Sequence, residues 1–307
     1  MWAVRMQVGR VVAAVAVVGA MLSGCGAGPS QVGAAAIVGS DAIPLDRVQS
    51  RVEVALGRTD QIAQLTAQGG APADVARSVV SAAILHELLQ RRAEAEGIVV
   101  TDSEVDAEIA ENGGAEAILE SSLYDLPALR ERVRDDLIAA ALAERAVPGL
   151  VVTADLVAAT SRADAEEKAR LLAEGGPAAD ALFTDERTSA RDTVYEAATQ
   201  PDVAGTVLFG TPVGGVVAFQ PNPQQSAWIV FRVTDRSTDA PTAPEAVSNI
   251  SQSQLIAIGQ RLVQPLATEL GIRVNPRYGV WDPIQMRVVA EDQQTGIILP
   301  PAGPAAS

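Results

Sequence analysis

Apolar residues recur at helical spacing in three long stretches. From Asp74 to Glu96, Val75, Val79, Val80, Ala83, Ile84, Leu88 and Leu89 form one stripe, and Gly97 follows. That pattern predicts an amphipathic helix with a glycine stop. Pro127 to Ala146 carries Leu129, Val133, Leu137, Ile138 and Leu142 on one face before Pro148-Gly149 ends the run. Val247 to Leu270 does the same with Ile250, Leu255, Ile258, Leu262, Val263 and Leu266, capped by Gly271. A shorter helix is predicted after Pro44, where Val48, Val52 and Leu56 repeat, and residues 57–73 are expected to be a loop or broken helix. Thr101 and Glu104 have the spacing of a capping box, and helices are predicted at 103–111 and 115–122.

Between the second and third long helices the pattern changes. Val151–Ala158 reads as a strand, and Ser161–Glu174 as a charged helix ended by Gly175-Gly176-Pro177. Thr193–Gln200 is read as a short helix. Val216–Gln220 and Trp228–Val233 read as two strands joined by the loop PNPQQSA. Ala34–Gly39 and Ile272-Arg273-Val274 are extended, and TDRSTDAPTAPEA is a linker. The fold class expected is α+β and mostly helical, and no internal repeat is visible.

The first residues carry Arg5 and Arg10 without an acid, then an apolar run from Val11 to Met21, then Leu22-Ser23-Gly24-Cys25. A basic start, a short apolar core and small residues at the cleavage point predict an export signal, cleaved after Gly24. The run is too short for a comfortable bilayer span, which needs about 20 residues. Leu-Ser-Gly-Cys matches the lipobox of bacterial lipoproteins, so Cys25 is the expected lipidation site, carrying acyl chains such as palmitate. Each buried CH₂ of such a chain contributes about 0.8 kcal/mol, so two or three chains hold a protein at a membrane surface. The expected location is the extracytoplasmic face of the cell membrane. An ordinary signal peptide with a chance cysteine is the alternative reading.

Removing residues 1–24 leaves 283 residues, 21 basic against 38 acidic, a net charge of −17. Nucleic acid and anionic lipid surfaces are disfavoured as partners by that charge, while basic or neutral polypeptide segments are favoured. Cys25 is the only cysteine and His86 the only histidine. No intramolecular disulfide or cysteine metal site can therefore form. No cofactor and no metal is expected. Asp102–Glu108 and Asp164–Glu167 lack the spaced ligands and central glycine of a calcium loop. Gly69-Gly70 and Gly214-Gly215 read as turns, and Ser161, Ser189 and Ser226 have no nucleophile-elbow context. No catalytic constellation emerges, and His86 reads as a helix-face residue. Tyr278 and Trp281 are expected to anchor the C-terminal segment in the core.

AAAIVGSDAIPLDRV, then AEAEGIVVTDSEVDAEI, then LPALRERVRDDLIAAALAERAV resembles, in that order, the N-terminal chaperone domain of SurA and PrsA-type foldases. The match covers residues 34–148 and rests on Ala93–Val105 and Leu129-Arg130. IRVNPRYGVWDP looks like the tail of SurA-N-terminal-domain lipoproteins of actinobacteria, in which N- and C-terminal segments pack together around an inserted parvulin-type unit. SRADAEEKARLLAEGG resembles the first parvulin helix, and VLFGTPVGGVVAFQ with SAWIVFRVTDR resembles its closing strands. Parvulins open on a strand with a His-Ile-Leu signature, whereas Val152–Val157 has no histidine. Twisting a prolyl amide faces a barrier of ~18–20 kcal/mol, and without the paired histidines this unit is not expected to be an efficient isomerase.

The resemblance implies a signal peptide at 1–24, a tether at 25–33 and a helical chaperone domain at 34–150. A degenerate parvulin-like domain follows at 151–240. A helix and strand at 241–285 pack back on the first domain, and 286–307 form a partly disordered tail. It implies a membrane-anchored chaperone-like lipoprotein that holds or helps to fold exported polypeptides, its isomerase activity lost. The alternatives are a structural lipoprotein dedicated to one cell-envelope partner, and a weakly active prolyl isomerase.

Overall fold

The structure is a computed structural model, which describes residues 32–222, 226–240 and 244–301. Gly24 and Cys25, and with them the export and lipidation expectations, lie outside the described residues. The described residues begin with β1 (Ala34–Val38) and β2 (Asp41–Pro44), followed by α1 (Leu45–Leu56), α2 (Thr59–Ala67) and α3 (Pro72–Glu96). Next come α4 (Asp102–Glu111), α5 (Ala115–Glu120) and α6 (Leu126–Ala146). The middle of the chain forms β3 (Val151–Ala159), α7 (Arg162–Glu174), α8 (Gly176–Ala181), β4 (Ser189–Glu196), α9 (Pro201–Ala204), α10 (Val207–Gly210), β5 (Val216–Phe219) and β6 (Trp228–Ser237). The last part contains α11 (Gln252–Leu262), α12 (Gln264–Leu270), β7 (Ile272–Val274), β8 (Val280–Asp282), β9 (Arg287–Val289) and β10 (Gly296–Leu299). This is the expected α+β class.

Local chemistry fixes the helix ends. Asp74 accepts the Ala71 N–H at 2.9 Å at the start of α3. Gly97 ends it at φ 63, a left-handed turn that an L side chain adopts only with strain. The capping box is formed: Glu104 N–H donates to Thr101 Oγ1 at 3.3 Å, and Thr101 N–H to Glu104 Oε2 at 2.6 Å. Asp125 caps α6 by accepting from Ala128 N–H at 2.9 Å. Ser251 and Gln254 cap α11 reciprocally.

The first two strands meet β7 from the last part of the chain in a three-stranded antiparallel sheet of order β2-β1-β7, with Ala36 opposite Val274 and Val38 opposite Ile272. All five residues of β1 are buried. Asn275 closes this sheet, donating its amide N–H to Ala35 O at 2.9 Å and its side-chain Nδ2 to Ala34 O at 3.0 Å. Under it lies a core drawn from α3, α6 and α12, with Leu88, Leu89 and Leu142 among its buried residues. Tyr278 is buried in that core and Trp281 packs against it. A satellite cluster of Val105, Ile109 and Leu129 ties α4 to α6.

A five-stranded sheet of order β10-β5-β6-β3-β4 is antiparallel at every junction. One face packs Val157, Ala159, Trp228 and Val230 on Ala165, Ala169 and Leu172 of α7. The opposite face packs Val152, Phe231 and Val233 on Phe209, Leu255 and Ile258, from α10 and α11. α11 is thereby shared between the sheet and α6, which it also packs against. At that crossing Gly259 lies so close to Ala139 that an added Cβ would overlap the Ala139 backbone.

Three sequence expectations need correction. Residues 193–196 belong to a strand, β4, because Val194 and Tyr195 pair with Thr153 and Val152. The helix expected over Val247–Leu270 is two helices broken at Val263, since Pro265 has no N–H to continue the first. Of the loop or broken helix expected at 57–73 the second is found, with the nine-residue α2 standing between α1 and α3. The tail expected from residue 286 contains β9 and β10, and β10 pairs residue for residue with β5, Gly296 opposite Phe219 and Leu299 opposite Val216. Pro300 and Pro301 follow β10 outside any helix or strand, and residues 302–307 lie outside those described.

Candidate functional site: a trough between three helices

A cleft of about 310 Å³ opens between α1, α3 and α6. Val54 and Ala55 line it from α1, Val75, Val79, Ala82 and Leu85 from α3, and Ala128 from α6. Val75, Val79 and Ala82 are separated by four and three positions, so one stripe of α3 faces the cleft. Of these apolar lining residues Val54 is 38% exposed. A wider cavity of about 880 Å³ adjoins it and shares Ser78, Ala82, Leu85, Tyr124, Arg132 and Gln260. The two form one trough. The wider part reaches Arg287 and Thr295 in the C-terminal segment and Trp228 on β6.

The α6 wall is charged. Glu131 accepts from both terminal nitrogens of Arg51, at 2.5 and 2.6 Å, and from Arg47 at 2.9 Å. Burial pushes the Glu131 carboxyl up, but the Arg51 hydrogen bonds and the charges of His86, Arg51 and Arg47 outweigh it and hold the group below its usual range. Asp135, one turn further on, meets His86 Nδ1 at 2.8 Å and takes Gln90 Nε2 at 3.3 Å. The hydrogen bond to Asp135 raises the His86 pKa against the opposing effect of burial. Asp136 Oδ2 accepts from Arg132 Nε at 2.7 Å. Its Oδ1 is buried and meets no donor among the described residues. Burial pushes the Asp136 carboxyl up, with Arg132 only partly offsetting it.

His86 is therefore more than an exposed helix-face residue: it is half-buried and bound to an acid on the neighbouring helix. The β3 strand carries Asp155, which is 2% exposed. Arg232 Nη2 donates to its Oδ2 at 2.7 Å and the Asp192 amide to its Oδ1 at 3.1 Å. Asp192 has a left-handed backbone, φ 49, beside the register shift between β3 and β4. Asp155 thus holds an irregular edge in place. His86 belongs to α3 and is not on this sheet. The acidic stretches at 102–108 and 164–167 sit in helices, where Asp164 accepts from Thr160 N–H and Lys168. Among the described residues no cluster of His, Cys, Asp or Glu could hold a metal ion, and no helix is long and apolar enough to cross a membrane.

Residues 1–115 match the family model described as the SurA-like N-terminal domain, which is 115 of 307 residues. The N-terminal part of the fold, from β1 into α5, is SurA-like. Solved structures similar to the chain include three PrsA proteins. The foldase protein PrsA of Streptococcus pneumoniae shares 15% identity over 78% of this chain and 94% of its own, with a TM-score of 0.25. The peptidylprolyl isomerase PrsA of Bacillus anthracis shares 13% over 64% and 99%, with a TM-score of 0.26. The foldase protein PrsA of Lactococcus lactis shares 10% over 79% and 95%, with a TM-score of 0.24. At such scores whole-chain superposition is poor. No curated protein matches the chain.

Proposed function

We propose that this chain is an exported, lipid-anchored holding chaperone, tethered through Cys25 at the outer face of a cell membrane, whose trough receives segments of incompletely folded polypeptides. In this reading residues 34–150 and 241–285 form one client-holding module, and 151–240 form an inserted parvulin-like unit without isomerase activity. The observation that carries the reading is the open trough itself. A cleft walled by apolar residues of α1 and α3, with Val54 exposed, stays accessible in a folded chain, and burial of a client's apolar side chains there is non-directional and tolerant of sequence. The match of residues 1–115 to the SurA-like N-terminal domain supports it.

Two features support the loss of isomerase activity. The β3 strand carries no histidine, and its one charged residue, Asp155, is buried and tied to Arg232. The face of the sheet opposite α7 is filled by Phe209, Leu255 and Ile258 of the same chain.

The test is suppression of aggregation of two unrelated denatured proteins by the mature chain, Gly26 onward. Suppression of both at near-stoichiometric amounts is expected. Suppression of neither would replace this reading with a dedicated envelope partner, and strong turnover of a proline peptide in a protease-coupled assay would overturn the second half.

A further inference from the structure

The two parts of the trough are built to recognise different things, given the reading that polypeptide occupies the narrow part. Four arginines and two aspartates line the wider part. Arg77 is paired with Asp74, Arg132 with Asp136 and Arg162 with Glu166. One cation, Arg287, and one anion, Asp292, remain, so the lining is electrically balanced and offers a ligand no net charge. Its other polar groups are mainly side-chain amides. Gln220 enters from the end of β5, Gln260 from α11, Gln285 from the turn between β8 and β9, and Gln293 and Gln294 from the run before β10. Among the described residues the side chains of Gln260, Gln293 and Gln294 make no hydrogen bond, and Gln285 uses only its Nε2, on Asp282.

A glutamine side chain carries the donor and the acceptor of a peptide group. Amides converging from separate elements can therefore meet the N–H and C=O groups of an extended chain, whatever its side chains are. A chain whose apolar residues enter the narrow cleft loses water from its backbone, and a backbone group left without a partner is costly. The wider part shares Ser78, Ala82, Leu85 and Gln260 with the cleft, so it supplies partners where such a chain emerges. Neutral amides would also suit a glycan. Trp228, however, is 8% exposed and packed on α7, so its ring face is not open to stack on a sugar. Continuity with the apolar cleft favours polypeptide.

We propose that the wider part of the trough binds the backbone of an extended polypeptide through the amides of Gln260, Gln285, Gln293 and Gln294, while the apolar cleft takes its side chains. Affinity then depends on the length of chain and the backbone N–H groups beside an apolar anchor, and not on the charge of the flanking residues.

Three labelled peptides decide the matter, titrated by fluorescence anisotropy against the mature chain, Gly26 onward. The first is a short leucine-rich anchor. The second adds about four glycines at each end, each arm reaching roughly 13 Å when extended, and the third has N-methylglycines in their place. Glycine brings backbone without a side chain, and N-methylglycine keeps the carbonyl but has no N–H. The glycine arms are expected to tighten binding about tenfold, as one or two net backbone hydrogen bonds imply, and the N-methylglycine arms less than about twofold. The glycine gain is expected to hold from low to high salt. In the double variant Gln293→Met, Gln294→Met it should fall by about threefold while the bare anchor binds as before. No gain from glycine, an equal gain from N-methylglycine, or an undiminished gain in the variant would overturn the backbone inference and leave the chaperone reading standing. Displacement of the glycine-armed peptide by a soluble N-acetylglucosamine oligosaccharide, with the bare anchor left bound, would overturn it in favour of a glycan. Binding of none of the three peptides would overturn both. The wild-type series decides the inference even if the variant folds poorly.

Discussion

Gly259→Ala tests the joint on which the architecture turns. α11 crosses α6 at this glycine, and a methyl group there would overlap the backbone carbonyl of Ala139. That carbonyl is part of the α6 helical ladder and cannot rotate aside as a side-chain tip would. The helices must therefore move apart, and the residues they bury at the crossing, Ile258 and Leu255 on one side and Ala139, Leu142 and Ala143 on the other, lose contact together. Forcing extra atoms into a packed core costs about 1–3 kcal/mol. Against this, alanine is favoured over glycine within a helix by about 1 kcal/mol. Because the obstacle is backbone, the steric cost lies at the top of that range, about 3 kcal/mol, and a net destabilisation of about 2 kcal/mol is expected. With a urea slope of about 2–3 kcal/mol per molar, the midpoint falls by roughly 0.7–1 M. Urea unfolding followed by circular dichroism reads this directly. A variant as stable as wild type, or more stable by the propensity difference, would show that the two helices do not approach this closely.

His86→Gln tests the ion pair with Asp135 on the α6 side of the cleft. His86 has a raised folded-state pKa through Asp135, so its stabilising effect is fully present below the unfolded value near 6.5 and is lost as pH rises through the folded value. Wild type should exceed the variant by about 1–2 kcal/mol at pH 5.5, with the gap narrowing toward pH 9 in denaturation midpoints. Asp136→Asn should behave in the opposite way. Burial raises the wild-type carboxyl pKa, so the two proteins match in acid, and the variant becomes the more stable by up to about 1 kcal/mol as pH rises above the folded value. A flat difference across pH would refute the burial argument. Asp282→Ala should be severe. Asp282 is fully buried and accepts from the amides of Ile284, Gln285 and Thr295 and the side chains of Gln285 and Thr295. Thermal unfolding should register a loss of about 3 kcal/mol or more.

Most helices were legible because their signals are local. The Val75–Leu89 stripe, Gly97 and the Thr101–Glu104 box need no information beyond a few neighbouring residues, and α3 and α4 lie where they point. What the pattern misses depends on partners far along the chain. β4 exposes most of its side chains and owes its strand geometry to pairing with β3. β10 is a strand because β5, far earlier in the chain, offers it an edge. The break at Val263 is hidden because apolar periodicity continues across it, although Pro265 marks the place.

The trough was illegible for a related reason. Glu131, Arg132, Asp135 and Asp136 resemble a solvated helix face, and they line a cleft because α1 and α3 bring Arg51 and His86 against them. A spacing argument could have flagged the stripe, since 128, 131, 132, 135 and 136 share one side of α6. It could not have supplied the partners. Asp155, a charge in the middle of an apolar strand, was the clearer local signal of a buried pair.

Client capture at the trough is the most direct test of the central claim. A photo-crosslinking residue is placed at Ala82, which lines both parts of the trough. A matched one is placed at Val194 on the exposed edge strand of the five-stranded sheet. Each protein is mixed with the same purified denatured client and irradiated. The account predicts strong capture at Ala82 and little at Val194. Equal capture at both positions, or capture at Val194 alone, would contradict it.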